Sequence, residues 1–251
     1  MKQNLFFNII LFILLFPPQV VHSLGGMFYQ VDVYTTETLY PLVIIDKKQL
    51  DGISGEFLSL ATSKMISKLN VIVMPWPRAQ IEVNKVKNAI IIPLARTKER
   101  ENKYKWLGKV FDDPICYFTY KKTFEMKNID DLSKVKKAGL LRHGPANLEF
   151  LKQNKNIKIV DSNEMNQLVV KLYKNEIDLI LAGYSTVSYY WNLNNYDLNE
   201  LSCFQTKYVN QQSVAASLNS DQEFVASIQK AIEEFKKTKE YKNLLLKYHL
   251  N

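Results

Sequence analysis

The sequence predicts an α/β protein with two similar lobes, and two patterns along the chain support this prediction. Strand-like and helix-like segments alternate, which is typical of sheets covered by helices. The alternation breaks at residues 111–121, where a long strand-like segment has no helix before it, and a second α/β run of similar length follows. The length of 251 residues is ample for one large domain or two lobes of about 100 residues each.

The first α/β run combines β-branched and aromatic strands with amphipathic helices. Strands are predicted at 31–35, 71–74 and 89–94, an extended piece at 40–44, and helices at 55–69 and 78–87. The strand at 89–94 is continuously apolar, as expected for a parallel strand that is covered on both faces.

The second run repeats the alternation and ends in a helical tail. Strands are predicted at 115–120, 138–141, 157–160, 177–182 and 201–204, and helices at 130–135, 144–151, 163–173 and 186–191. In the tail, Ser220 and Glu223 match a capping box, in which Ser220 caps a helix and Glu223 reaches back to it. Thr238 is predicted to cap the last helix.

Residues 1–23 have the features of a secretory signal peptide. Lys2 gives a positive start, residues 5–16 are almost wholly apolar, and Val21-His22-Ser23 form a compact cleavage site. The alternative is an uncleaved membrane anchor, but a helix needs about 20 apolar residues to cross a bilayer. We therefore predict cleavage after Ser23 and an exported, soluble chain of 228 residues (251 − 23).

Charge and motif content argue against several function classes. The net charge of +8 is spread along the chain, and export argues against nucleic acid as a partner. The exported part has two histidines, His143 and His249, and no CxxC, GxGxxG or Walker motif, so we predict no metal, cofactor or catalytic residue. Cys116 and Cys203 either pair as a disulfide or remain as two buried thiols.

Polar segments follow the predicted strands, where ligands bind in open α/β sheets. There are five of them, at 35–37, 76–78, 96–100, 142–144 and 183–185. The segment Arg96-Thr97-Lys98-Glu99-Arg100 has two interpretations. Thr97 caps a helix whose free N–H groups hold a carboxylate together with Arg100, or the segment is simply a solvated helix start.

Several segments share the pattern of one protein family. They are Glu37-Thr38-Leu39-Tyr40-Pro41, Leu50-Asp51-Gly52-Ile53-Ser54-Gly55-Glu56, Pro75-Trp76-Pro77-Arg78-Ala79, the segment 96–100 with 104–108, and Asn175-Glu176-Ile177-Asp178. On these residues the chain resembles the bacterial periplasmic solute-binding proteins of the polar amino acid ABC-transporter type, extracellular solute-binding family three. The resemblance covers essentially the whole exported chain.

The resemblance implies a two-lobed periplasmic binding protein fold of type II, in which two α/β lobes joined by crossing strands close over a solute. Lobe 1 is predicted at residues 24–117 plus 209–251, and lobe 2 at 118–208. Arg100 matches the arginine that holds a ligand carboxylate, Tyr40 or Trp76 packs on the ligand, and Glu37 meets a ligand amine. The full predicted ligand-binding set is Glu37, Tyr40, Trp76, Arg78, Arg96, Arg100, Arg142, Asn147 and Tyr184.

Four segments depart from the family pattern. Ala95 stands where a hydroxyl residue is common, Pro145-Ala146 where the helix start usually carries Thr or Ser, and Gly183 where an Asp often binds the ligand's ammonium group. Lobe 1 also reads Val86-Lys87-Asn88-Ala89 where the family usually has Gly-x-x-Asp before its fourth strand. These departures favour an anionic or weakly cationic small solute over a standard α-amino acid.

The resemblance implies a monomeric periplasmic protein that traps a small, carboxylate-bearing, amino-acid-like solute and delivers it to an inner-membrane ABC permease. An alternative is a dehydratase-like periplasmic enzyme with Glu37 as acid or base. Further alternatives are a stand-alone sensor or accessory protein, and a protein that no longer binds a ligand.

Overall fold

The computed structural model describes residues 29–37, 39–46, 49–142 and 147–250, apart from the side chains of Leu148 and Glu149. The predicted signal peptide lies outside the described residues, as does the glycine-led start of the lobe 2 helix at residues 143–146. None of the helices within the described ranges is long and apolar enough to cross a membrane.

The strands and helices alternate as the sequence predicts. The strands are β1 (Tyr29–Thr35), β2 (Ile44–Asp46), β3 (Gln49–Asp51), β4 (Ile66–Val73), β5 (Ile90–Ala95), β6 (Lys105–Tyr120), β7 (Lys137–Leu141), β8 (Lys158–Ser162), β9 (Leu179–Gly183) and β10 (Leu201–Ala216). The α-helices are α1 (Gly52–Thr62), α2 (Trp76–Glu82), α3 (Asn147–Gln153), α4 (Met165–Tyr173), α5 (Tyr184–Leu193), α6 (Gln222–Phe235) and α7 (Lys239–Lys247). Short 3₁₀ helices lie at Val83–Lys85, Glu101–Lys103, Ile129–Lys134 and Leu198–Glu200.

Two long strands connect the lobes. The large sheet has the order β4-β1-β5-β10-β6-β9-β7-β8, and its central pair, β6 and β10, is antiparallel and 16 residues long in each strand. Strands β4, β1 and β5 are parallel on the lobe 1 side, and β9, β7 and β8 are parallel on the lobe 2 side. The lobe limits within β6 and β10 that the sequence predicts stay a prediction.

Each lobe buries apolar side chains on both faces of its part of the sheet. In lobe 1, helices α1, α6 and α7 cover one face with Phe57 and Phe224, and α2 covers the other with Ala79. In lobe 2, α4 and α5 cover one face with the fully buried Trp191, and α3 covers the other with Phe150. This double covering explains why the β5 and β9 segments are apolar throughout.

The structure corrects two sequence predictions at helix ends. The helix predicted at 55–69 begins earlier, at Gly52, where the Asp51 carboxylate accepts the Gly52 N–H, and it ends at Thr62. The predicted helix end is wrong because Ile66 and the residues after it pair with β1 as strand β4. The Ser220 capping box is also wrong, since Asp221 is the N-cap residue of α6 and the buried Ser220 hydroxyl makes no hydrogen bond among the described residues.

The two long strands change register where they pass between the lobes. Gln205 pairs with Cys116 and Val209 pairs with Pro114, so β10 advances four residues while β6 advances two. The Thr206 hydroxyl donates to the Ile115 carbonyl over 2.8 Å and accepts the Tyr208 N–H over 3.1 Å, which holds the extra residues in place. We call residues 112–114 together with 206–210 the crossing segment.

A disulfide joins the two long strands beside the crossing segment. It connects Cys116 of β6 to Cys203 of β10, with Cα atoms 5.4 Å apart. This result decides between the two states that the sequence leaves open. Cys116 is fully buried and Cys203 is exposed, so the bond runs from the lobe 2 core to the surface.

Candidate functional site

The parallel strands of both lobes end at the crossing segment. Ala95, the last residue of β5, pairs with Gln212, which pairs in turn with Phe111 of β6. Gly183, the last residue of β9, pairs with Ile115 of β6. The two strand ends are therefore four residues apart along β6, which is about 13 Å at ~3.3 Å per residue. We call the region between these two carboxyl-terminal sheet edges the gap, and such strand ends are where open α/β sheets bind small molecules.

Arg100 lies at the lobe 1 edge of this gap. Its guanidinium Nη1 donates to the Ala95 carbonyl over 3.0 Å, and the side chain is partly buried. Burial raises the pKa of the neighbouring Tyr104, and the positive charge of Arg100 opposes that rise. Within the described ranges, no carboxylate forms an ion pair with Arg100. Because a guanidinium has five N–H donors, several of them are available to a ligand.

The segment before Arg100 forms a turn. The Arg100 N–H donates to the Thr97 carbonyl over 3.0 Å, and only the 3₁₀ helix Glu101–Lys103 follows. The α-helix predicted to start at Thr97 is therefore wrong. The helix does not form because the chain enters strand β6 at Lys105, a few residues later. The Trp106 indole N–H donates to the Glu101 carbonyl over 3.2 Å and so stabilises this short connection.

Arg96 stabilises this turn from outside. Its guanidinium donates to both Glu101 carboxylate oxygens, over 3.0 and 2.5 Å, and its Cζ lies 5.2 Å from the centre of the Trp106 ring. The hydrogen bond from Arg96 holds the pKa of Glu101 below its usual range. The Arg96 charge is thus balanced by Glu101 within the same loop.

Trp76 and Arg78 both belong to α2 but face different surroundings. Trp76 is half-buried and packs against the apolar cluster that contains Tyr34 and Tyr104. The Arg78 side chain is 69% exposed, and its Nε lies 4.0 Å from a Glu82 carboxylate oxygen one helical turn away.

Lobe 2 contributes Arg142 and Asn147 at the carboxyl end of β7. Arg142 donates through Nε to the Asp161 carboxylate over 2.5 Å, and this bond holds the pKa of Asp161 below its usual range. The Asn147 side-chain amide donates to the Leu141 carbonyl over 2.6 Å, which fixes the start of α3 to the end of β7.

Helix α5 brings lobe 2 into contact with lobe 1. Burial raises the pKa of Tyr189 and of Tyr190, and the nearby Tyr40 of lobe 1 raises both further. Burial and the hydrogen bond to Glu56 raise the pKa of Tyr248, which directly follows α7, and Tyr189 raises it further. We call Tyr40, Tyr189, Tyr190 and Tyr248 the tyrosine cluster. Tyr40 is 37% exposed and is near enough to α5 to affect the pKa values of Tyr189 and Tyr190.

The first residue of α5, Tyr184, packs against the apolar clusters of both lobes, and its ring centre lies 6.2 Å from that of Phe118. Glu37 lies in an exposed turn just after β1. The structure thus places Tyr184 at the start of α5, with Tyr40 of lobe 1 nearby, and Arg100 just after the end of β5. Acidic partners balance the charges of Arg96 and Arg142.

Sequence reasoning missed Asp113, Tyr189 and Tyr190. The run Tyr184-Ser185-Thr186-Val187-Ser188-Tyr189-Tyr190 gives a signal for the tyrosines, because two adjacent tyrosines within a helix that follows the carboxyl end of a strand offer aromatic surface near a candidate site. No such signal marks Asp113, because its partner Ser185 is 72 residues away.

Asp113 is a buried carboxylate in the crossing segment. It is 2% exposed, and its Oδ1 and Oδ2 accept the Ser185 N–H and hydroxyl, each over 2.9 Å. Burial raises the pKa of Asp113 to about 6, although the hydrogen bonds from Ser185 and Tyr184 oppose the rise. No cation within the described ranges forms an ion pair with it.

This burial predicts a pH-dependent stability. Because the pKa of Asp113 in the folded state lies above the ordinary aspartate value of 3.8, the folded state binds a proton that the unfolded state releases. The contribution of Asp113 to the free energy of unfolding is then full below about pH 4 and falls by about 3 kcal/mol as the pH rises through 6.

Urea unfolding of the wild type and Asp113→Asn between pH 4 and 7.5 measures this contribution. We expect the stability difference between the two proteins to shift in favour of Asp113→Asn as the pH rises. A difference that stays constant over this range would show that Asp113 titrates as an exposed carboxyl group does.

A cavity of about 310 Å³ lies in lobe 2, away from these residues. Tyr117, Phe150, Leu181, Phe204 and Tyr208 contribute to its lining. None of the predicted ligand-binding residues lines it, so we do not assign it to the site.

The fold is shared with solved solute-binding structures of low sequence identity. An ancestral cationic amino acid solute-binding protein matches with a TM-score of 0.76 and 15% identity, over 87% of this chain and 95% of that one. An ABC uptake transporter substrate-binding protein from Streptococcus pneumoniae with bound histidine matches with a TM-score of 0.67 and 17% identity, over 87% and 92%. A histidine kinase sensor domain similar to periplasmic binding proteins matches with a TM-score of 0.65 and 14% identity, over 88% and 96%.

These structures confirm the predicted two-lobed periplasmic binding protein fold. No curated protein sequence matches the chain. The model of a protein family, described as bacterial extracellular solute-binding proteins, family 3, matches residues 31–251. Most members of that family are binding proteins without catalytic activity. With both crossing strands, both sheet edges and the last two helices inside the match, the chain belongs to the bacterial extracellular solute-binding proteins of family 3.

Proposed function

We propose that the protein is a periplasmic solute-binding protein that holds an amino-acid-like, carboxylate-bearing solute between its lobes and delivers it to an ABC permease. The observation that carries this proposal is the partly buried Arg100 guanidinium at the end of β5. It has no carboxylate partner among the residues that the structure describes, and it borders a gap of about 13 Å between the two sheet edges.

The surroundings of Arg100 make it the preferred anchor among the candidate arginines. Arg96 and Arg142 already pair with Glu101 and Asp161, and Arg78 is mostly solvent-exposed. A guanidinium that offers parallel N–H donors binds a carboxylate through two charge-assisted hydrogen bonds.

The remaining contacts follow from the same geometry. The tyrosine cluster supplies aromatic surface from both lobes, and Tyr40 is its solvent-accessible member on lobe 1. Glu37, exposed after β1, is the candidate partner of a ligand amine. Closure of the lobes around the solute is favoured because the bound state gains contacts from both sides.

A thermal-shift panel on the exported chain tests the proposal. The protein is first unfolded and refolded to remove carried-over ligand, and the panel spans amino acids, dicarboxylates, small amines and short peptides. A ligand at about a thousand times its Kd adds about 4 kcal/mol, which raises the midpoint by about 8–16 °C at ~2–4 °C per kcal/mol. A hit that requires a carboxylate supports the proposal, and a panel in which no carboxylate-bearing compound raises the midpoint contradicts it.

The enzymatic alternative is separated by the fate of the ligand. If the protein only binds, mass spectrometry of a long incubation recovers the hit compound unchanged. Conversion of the compound that is lost on Glu37→Gln would instead assign Glu37 as an acid or base and establish an enzyme.

A further inference from the structure

Helix α5 has no N-terminal cap of its own. Its N-cap residue is Gly183, no side chain of the helix itself caps its free N–H groups, and its first turn has no acidic residue. A helix start is normally stabilised by a Ser, Thr, Asp or Asn at this position. The stabilising group must therefore come from elsewhere in the chain.

The cap comes from the crossing segment. Asp113 of β6 accepts both the backbone N–H and the hydroxyl of Ser185, each over 2.9 Å, and a backbone hydrogen bond from Tyr184 also acts on it. Both bonded oxygens belong to a side chain that is 2% exposed. The first turn of α5 is thus fixed to the strand that connects the lobes.

Gly183 makes this arrangement possible by leaving space. A Cβ atom at position 183 would overlap the Asp113 carboxylate. The backbone of Gly183, with φ −67° and ψ 142°, is open to any residue, so its lack of a side chain matters for space alone. The chain has room for a cap from residue 183 or for a cap from Asp113, but not for both.

The location of Asp113 gives the cap a second consequence. Asp113 lies between Phe111, which pairs within lobe 1, and Ile115, which pairs with the end of β9 in lobe 2. Helix α5 begins with Tyr184, which packs against the apolar cluster of lobe 1, and it carries Tyr189 and Tyr190, whose pKa values the nearby Tyr40 of lobe 1 helps to raise. The orientation of α5 relative to the crossing segment therefore decides how the two sides of the gap meet.

We propose that Asp113 is a positioning residue for solute binding, which fixes helix α5 and its tyrosines to the crossing segment. This inference rests on the proposed function for its affinity read-out. Asp113 acts through α5, and its side chain needs no contact with the solute.

The test moves the cap from the crossing segment to the helix itself. Asp113→Ala removes the cap and frees the space beside residue 183. The double variant Asp113→Ala/Gly183→Ser then supplies a serine N-cap within α5, with no link to β6. Thermal midpoints report on the helix cap, and affinity for the hit from the carboxylate panel reports on positioning.

We expect Asp113→Ala to lose both stability and affinity. The double variant should regain the thermal midpoint but remain about tenfold or more weaker in affinity than the wild type, a typical size for coupling between sites. Recovery of both quantities would show that the cap is only structural, and it would overturn the inference. If Asp113→Ala does not fold, the thermal midpoint and the affinity of the double variant are compared directly with those of the wild type.

A ligand-free read-out separates this inference from the proposed function. Spin labels at the exposed positions Ser63 of lobe 1 and Lys155 of lobe 2 report the distance between the lobes. The double variant should show a wider distance distribution than the wild type, even if the wild type binds nothing in the panel. An unchanged distribution together with unchanged affinity would refute the positioning role.

Discussion

Replacing Arg100 with alanine is expected to weaken solute binding by about 30-fold to several thousand-fold while the fold remains intact. Truncating one partner of a buried, hydrogen-bonded charge pair costs about 2–5 kcal/mol, because the other charge is left unpaired. Within the described part of the chain, the side-chain hydrogen bond that the folded protein loses is the one from Arg100 to the Ala95 carbonyl. Isothermal titration with the hit from the carboxylate panel measures the loss.

Arg78→Ala is the matched control for Arg100→Ala. It removes the same type of side chain from the same lobe, at a position where that side chain is 69% exposed. Among the described acidic residues, Arg78 forms an ion pair with Glu82 only. We expect its affinity to equal that of the wild type. Equal affinities of the Arg100→Ala variant and the wild type would remove Arg100 from the site, and a large loss in the Arg78 variant would move the anchor to α2.

Removal of the Cys116–Cys203 disulfide is expected to lower the free energy of unfolding by about 2–5 kcal/mol. The two cysteines are 87 residues apart, so the bond closes a long loop in the unfolded chain and restricts it strongly. Replacing both cysteines with alanine avoids a free thiol, and urea unfolding under oxidising conditions measures the change.

The reduced wild type provides the control for this double variant. With a thiol reductant present, the wild type should fall to the stability of the variant, and the variant itself should not respond. The prediction fails if the reductant, which also reaches unfolded chains, does not change the free energy of unfolding of the wild type. The two cysteines would then not be bonded in solution.

The core of the fold was predictable from local patterns. The strands β1, β5, β7 and β9 follow runs of β-branched and apolar residues, and each lies within two residues of its predicted position. Runs of this kind occur where a strand is buried on both faces of the sheet, so they can be recognised from the sequence alone. Thr238 is likewise confirmed as the cap of the last helix, since it accepts the Tyr241 N–H over 3.2 Å.

The long strand β10 was predicted only at its first four residues. From Gln205 to Gln211 its side chains are largely polar, because this stretch crosses between the lobes and has little core to cover. Its strand character comes from pairing with β6, whose partner residues are about 80 to 110 positions away. No local pattern contains that information.

The candidate site was predictable in its location and less so in its chemistry. The location at the carboxyl ends of the strands and the choice of Arg100 as the candidate anchor follow from the α/β pattern and the family resemblance. The pairing of Arg96 with Glu101 and the Asp113 cap on α5 depend on how loops and distant strands meet. The ligand roles of all nine predicted residues stay predictions until binding is measured.

The chain order of the two cores has a consequence for the order of folding. The apolar clusters of lobe 2 draw their buried residues from one continuous stretch, Ile115 to Leu201. The main cluster of lobe 1 combines residues near the start of the described chain, such as Val31, with Phe224 and Ile228 near its end. Lobe 2 can therefore complete its core while the last helices are still absent, whereas the core of lobe 1 stays incomplete until they are present. An emerging chain would expose the incomplete lobe 1 core for longest, which makes that half the expected target of chaperones and proteases before folding is complete.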